Sequence, residues 1–186
     1  MDTQALEGGY ANAPVDAAQA FRAIMRVMAR PGTIEDITGT APPAPLSVAA
    51  GAVLLTLCDP ETPVHLAGGH DTASIRDWIT FHTGAPLVAP DKAAFAVGTW
   101  DDLPLPAFPL GTAEYPDRST TLIIERDALS QQGATLQGPG IKDAARLSLP
   151  ETEAFQANRR HFPLGLDFIF TSGSRIAALP RSTRIS

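Results

Sequence analysis

The chain is poor in cysteine, in lysine and in long apolar runs, and each shortage removes a class of function. Cys58 is the one cysteine among 186 residues, so no disulfide can close within one chain and no cysteine zinc site can be assembled. A reducing interior suits such a protein. The longest nearly apolar run, Val48 to Cys58, falls well short of the roughly 20 residues that a membrane-spanning helix needs. Met1 to Tyr10 carries Asp2 and Glu7 with neither a basic patch nor an apolar core, unlike a secretory signal, and we expect a cytoplasmic protein. A formal charge of -6 and a pI near 5.1 give no electrostatic footprint for duplex nucleic acid or an anionic membrane. No nucleophile elbow of the Gly-x-Ser-x-Gly kind is present. The histidines at 65, 70, 82 and 161 follow no metal-ligand spacing.

What remains is ordinary globular composition, 44% hydrophobic and 18% charged, with 17 prolines that imply many connections between short elements. The length predicts a single domain over residues 1–186, with the small, Gly-bearing residues 1–14 as a flexible arm. Helices and strands alternate in the first half, and strands are more frequent in the second. We therefore expect an α/β protein, a mixed sheet packed by helices.

Asp16 is placed to cap a first helix whose inner face would hold Phe21, Ile24, Met25 and Met28, stopped by Pro31-Gly32. Arg22, Arg26 and Arg30 form a row on another side of it. Solvation is the plainer role for that row, although three arginines without a lysine favour bidentate or interface contacts. Thr33 to Ile37 reads as a short strand, Ser47 as the cap of a buried helix through Leu57, and Val64-His65-Leu66 as another strand. Asp59 and Glu61, flanked by prolines, shape a turn. Asp71 or Thr72 can cap a helix with Ile75, Trp78 and Ile79 inside and Gly84 as its left-handed stop. His82 then lies where a cation stabilises the last carbonyls. Ala93 to Thr99 is a strand, followed by an acidic, Pro-broken connection from Trp100 to Pro109.

The stretch Tyr115 to Glu125 organises the chain. A turn delivers Asp117, Arg118, Ser119 and Thr120 to the mouth of a β-branched strand, Thr121 to Ile124. Arginine and hydroxyls suit a carboxylate or phosphate, and Asp117 can orient the guanidinium. The simpler alternative is that Asp117 and Arg118 pair to hold the turn. Gln137 to Ile141 has glycines that could bring backbone amides close to an anion, but it lacks the ending of a Walker loop and the dinucleotide fingerprint, and a tight turn is the default reading. Ser148 to Glu151 predicts a helix start running to about Arg160. Leu166 to Thr171 and Ile176 to Leu179 flank Ser172-Gly173-Ser174 as a closing hairpin. The tail Pro180 to Arg184 repeats the residue types of the 117–121 turn, so Arg181 could join that turn in one anion-binding groove if the fold brings them together.

Several of these segments resemble the family of the H subunit of the bacterial carbon-phosphorus lyase core complex (PhnH). They are Phe21 to Met25 with Ala29 to Gly32, Leu54 to Leu57 before Asp59 and Glu61 to Val64, Trp78 to Pro86, Gly111 with Tyr115 to Glu125, Gln137 to Ile141, Phe162-Pro163 with Gly165 to Asp167, and Ala178 to Arg184. The similarity is collinear over nearly the whole chain after Asp16. Two positions depart from the pattern: Leu164 removes a cation expected after Phe162-Pro163, and Ser182 replaces a threonine while keeping its hydroxyl. The resemblance implies a shortened pyridoxal-phosphate-dependent transferase fold without the cofactor. It also implies partners of the G, I and J types, self-pairing when isolated, and a role in transferring an alkylphosphonate to the ribose of ATP with loss of adenine. It establishes no catalytic residue, so Arg22, Arg30, His82, Asp117, Arg118, Ser119, Thr120 and Arg181 are candidates for ligand or interface contacts, with phosphonate or ATP at a shared site. A stand-alone pyridoxal phosphate enzyme is disfavoured, because Lys92 and Lys142, the only lysines, lie in polar connections. A free-standing phosphonate- or nucleotide-binding protein is the alternative.

Overall fold

A computed structural model describes residues 6–186. Four helices, α1 (Ala13–Ala29), α2 (Val48–Leu57), α3 (Ala73–Thr83) and α4 (Glu153–Arg159), alternate with nine strands. The strands are β1 (Glu35–Asp36), β2 (Val64–Leu66), β3 (Phe95–Thr99), β4 (Thr121–Glu125), β5 (Ala134–Gln137), β6 (Ala145–Leu147), β7 (Asp167–Ser172), β8 (Arg175–Leu179) and β9 (Arg184–Ile185). Six form a sheet in the order β1, β8, β7, β4, β3, β2. Within it β2, β3, β4 and β7 run parallel, β8 runs antiparallel to β7, and β1 pairs antiparallel with β8 and so runs the same way as the parallel set. The expected mixed α/β sheet is what the chain forms. A smaller antiparallel sheet, β6, β5, β9, was not legible beforehand.

Central strands buried on both faces must be apolar throughout, and β4 fits: Leu122, Ile123 and Ile124 are all inaccessible. Alternation sends Val97, Ile123 and Ile169 toward α1, α2 and α3. Ala96, Leu122, Ile124, Phe168 and Phe170 face the opposite layer, where Phe155 of α4, Leu136 of β5 and Leu147 of β6 cover them.

Helix ends follow local chemistry where the cap sits beside the helix. Ser47 accepts the N–H of Ala50, Thr72 accepts that of Ile75, and Gly84 takes a left-handed φ of 69°. Asp59 accepts from the Glu61 N–H and the Thr62 hydroxyl, shaping the expected turn.

Three expectations need correction. The N-cap of α1 is Asn12, and Asp16 instead accepts the Asn12 N–H at 2.8 Å. The buried seam of α1 is Ala20, Ala23, Ile24 and Val27, while Phe21 and Met25 stand 48% and 50% exposed. Small residues let α1 lie close on α2 and β8, which turns the bulkier pair outward. The last helix starts near Glu153, not at Ser148. The Ser148 hydroxyl accepts the Ser130 N–H, and Glu151 accepts from the Trp100 indole, so both serve long-range contacts rather than a cap.

Of the segment expected to be an arm, residues 1–5 lie outside the described residues. Glu7 to Tyr10 is tied down: the Glu7 carbonyl accepts from the Trp78 indole, Gly8 from the Ala41 N–H, and the Tyr10 hydroxyl bonds Ala52 and Thr56.

Candidate functional site

The mouth of β4 lies at the amino ends of the parallel strands, where Thr121 and Asp167 are register partners. Because β8 runs antiparallel to β7, the chain leaving β8 returns to this same end and brings Arg181 with it. Arg181 and the 116–120 turn therefore do meet. The Arg181 main-chain N–H donates to Asp167 Oδ1 at 2.8 Å, and its Nε lies 3.2 and 3.1 Å from the two carboxylate oxygens. One Nη donates to the Pro116 carbonyl at 2.6 Å, and the other reaches Ser119 Oγ and Asp167. The Thr120 hydroxyl donates to the Ala93 carbonyl at 2.6 Å.

This is a joint more than a receptor. Asp167 neutralises Arg181, the two side chains are only 14% and 17% exposed, and the Ser119 and Thr120 hydroxyls are buried in internal bonds. Asp117 and Arg118 do not pair with each other. Arg118 lies over the Tyr115 ring, 3.9 Å from its centroid, and both residues of the expected pair are exposed. The other candidates sit elsewhere. Arg22 and Arg30 are exposed on and just after α1, with Arg26 between them paired to Glu35 at 2.9 Å. His82 packs between Trp78 and Phe81 and faces the Glu7 carbonyl, 3.3 Å from Nε2. The eight candidate residues thus divide among three places.

A second site lies outside the eight candidate residues. Gln137 pairs with Arg184 between β5 and β9, which lays the Gly138–Gly140 turn beside the C-terminal tail. The resulting cleft, about 410 Å³, is lined by Lys142, Arg159, Arg184 and Ser182, with Asp143 as its one carboxylate. Glycine is required at 140: φ is 81°, and a Cβ there would fall 1.8 Å from the Ala29 carbonyl oxygen. Arg159 is oriented by its Nε donating to the Ser182 carbonyl at 3.2 Å and by the Phe162 ring 4.5 Å beneath its guanidinium. The turn and the basic tail were each visible in the sequence; only the β5–β9 pairing joins them.

A larger cleft, about 650 Å³, lies between the 100–110 segment and α4. Leucines 103, 105, 110 and 166 floor it, while Asp101 and Glu151 at the rim repel anions. A smaller polar hollow of about 210 Å³ holds His65, Asp71 and Arg76. There the hydrogen bond from Arg76 holds the Asp71 carboxyl below its ordinary range, and His65 Nδ1 faces the Val88 carbonyl at 3.0 Å. Among the described residues no three side chains converge as a metal site, and no helix is long and apolar enough to cross a membrane.

Residues 8–186 match the family described as "Bacterial phosphonate metabolism protein (PhnH)". The chain belongs to that family. It is 42% identical over 199 residues to the "Alpha-D-ribose 1-methylphosphonate 5-triphosphate synthase subunit PhnH" of Rhizobium meliloti (strain 1021), covering 98% of this chain and 96% of that protein. It is 28% identical over 197 residues to a "Putative C-P lyase subunit protein HtxG" of Stutzerimonas stutzeri, covering 97% and 96%. Segments on which the PhnH resemblance rests, Ala29 to Gly32, Gln137 to Ile141 and Ala178 to Arg184, come together around the cationic cleft.

Proposed function

We propose that this PhnH-family chain is a subunit of a multi-subunit phosphonate-processing enzyme in the cytoplasm. It supports transfer of an alkylphosphonate to the ribose of ATP with loss of adenine, a reading supported by its 42% identity to a relative named as a subunit of an alpha-D-ribose 1-methylphosphonate 5-triphosphate synthase. The carrying observation is the outward face of α1. Polar side chains on this helix are confined to Asp16, Gln19, Arg22 and Arg26, whereas a helix on a free surface ordinarily has a broad polar face. Pro14, Ala18, Phe21 and Met25, in steps of four, three and four, are all exposed. Such a helix is built to be covered on two sides, and only one is covered within the chain.

In this reading the partners are subunits of the G, I and J types, and the isolated chain is a homodimer. We read residues 1–186 as one domain and the six-stranded mixed sheet as a shortened relative of the pyridoxal-phosphate-dependent transferase fold. The role calls for no cofactor of its own, and both lysines are exposed. The competing reading, a free-standing binder of phosphonates or nucleotides, is favoured by the cationic cleft alone.

Co-expression with companion subunits separates the two. The wild-type chain should co-purify with them, and Phe21→Asp combined with Met25→Asp should abolish this while the isolated protein keeps its circular dichroism. A wild-type chain that purifies free of companions would show the subunit role to be wrong.

A further inference from the structure

We infer that the cleft between the Gly138–Asp143 turn and the C-terminal tail binds a phosphorus oxyanion: free phosphate, a phosphonate, or the end of a polyphosphate chain. Three cations reach it from three different elements, Lys142 after β5, Arg159 at the end of α4 and Arg184 on β9. One carboxylate, Asp143, opposes them. That excess of positive charge occurs in a protein whose net charge is -6, so it is a local feature and not a reflection of composition.

The cations are free to act. None of the three ion pairs among the described residues involves Lys142, Arg159 or Arg184, in contrast to Arg181, whose charge Asp167 cancels. Their chemistries are complementary. Arg159 is held in place by Ser182 and Phe162, so ordering its guanidinium on a ligand costs little extra entropy. Arg184 offers a second planar fork, and Lys142 a mobile point charge. A volume of about 410 Å³ exceeds what one tetrahedral oxyanion fills and lies within the range of small-molecule sites. The larger apolar cleft, with its acidic rim, lacks this character. Oxyanion binding stands on the geometry; assigning the ligand to the enzyme's own phosphonate or triphosphate substrate rests on the subunit role proposed above.

The test is calorimetry on the full chain at low salt, with inorganic phosphate, methylphosphonate, tripolyphosphate and ATP as separate probes. At least one should bind. Arg184→Gln and Lys142→Gln should each weaken that binding by about tenfold or more, the size expected for one charge-assisted contact. Lys92→Gln, which removes an exposed cation outside the cleft, should leave it unchanged. The strongest probe separates the sources: tripolyphosphate and ATP together indicate a polyphosphate end, methylphosphonate a phosphonate, and phosphate alone a free ion. No heat with any probe overturns the inference, as does an equal loss in Lys92→Gln, which would mean non-specific attraction. Co-purification with companions is an independent readout, so the cleft can fail while the subunit role stands, and the reverse.

Discussion

Arg181 grips Asp167 twice, through its main-chain N–H at 2.8 Å and through Nε at 3.2 and 3.1 Å. The same guanidinium also holds the Pro116 carbonyl and Ser119. One side chain thereby locks the entrance of β4, the first residue of β7 and the exit of β8. Arg181→Ala should lower stability by about 3 kcal/mol, since removing one partner strands a largely buried carboxylate. Urea unfolding measures this, and a loss under about 0.5 kcal/mol would mean that the joint bears no weight.

Glu125 does comparable work at the opposite end of β4. Its Oε1 accepts the Ser47 N–H at 2.7 Å, at the start of α2, and its Oε2 accepts the Thr171 hydroxyl at 2.9 Å. A negative charge here also suits the helix dipole. Glu125→Gln keeps the shape but sets an amide donor against one of those donors, so we expect a loss of about 1–3 kcal/mol in the same unfolding assay.

Burial pushes the Cys58 thiol up from an ordinary 9.0 to about 12, with the neighbouring Asp59 charge adding to the rise. The native thiol should resist iodoacetamide at pH 8 and react once urea unfolds the chain. The sign of the pH dependence follows. The folded state holds this proton more tightly, so its contribution is complete below pH 9 and declines as pH rises toward 12. The slope should approach ~1.4 kcal/mol per pH unit at most, and Cys58→Ala should flatten it.

Arg118 makes its main contact with Tyr115 at the surface, so Arg118→Ala should shift stability by no more than about 0.5 kcal/mol. If it is an interface or ligand contact, the same substitution should impair assembly or turnover of the complex. A variant that assembles and turns over normally would remove Arg118 from the site.

How much was legible depended on range. The α2 and α3 boundaries, the Asp59 turn and the β7–β8 hairpin could be read because Ser47, Thr72, Gly84 and Gly173 act on residues within a few positions of themselves. The orientation of α1 could not be read, because it has apolar residues on nearly every side and periodicity does not rank one seam above another. Ser148 misled because a good capping sequence was drawn into bonds with residues of the connecting segments, Ser130 and Trp100. Of the candidate site, the meeting of Arg181 with the 116–120 turn was anticipated from matching residue types, but its neutralisation by Asp167 was not.

The sequence by itself determined the helices α2 and α3, the strands of the central sheet from β2 to β8, the family to which the chain belongs and the kinds of donor it can offer a ligand, since these depend on local sterics, capping and residue order. Tertiary structure alone decided which arginines are free. Asp167 meets Arg181 through the register of β7 with β8, and Arg184 comes to share a cleft with Lys142 through the pairing of β5 with β9. Whether a charge is cancelled or available is set by neighbours far away in the chain, and strand register, not proximity in sequence, chooses them.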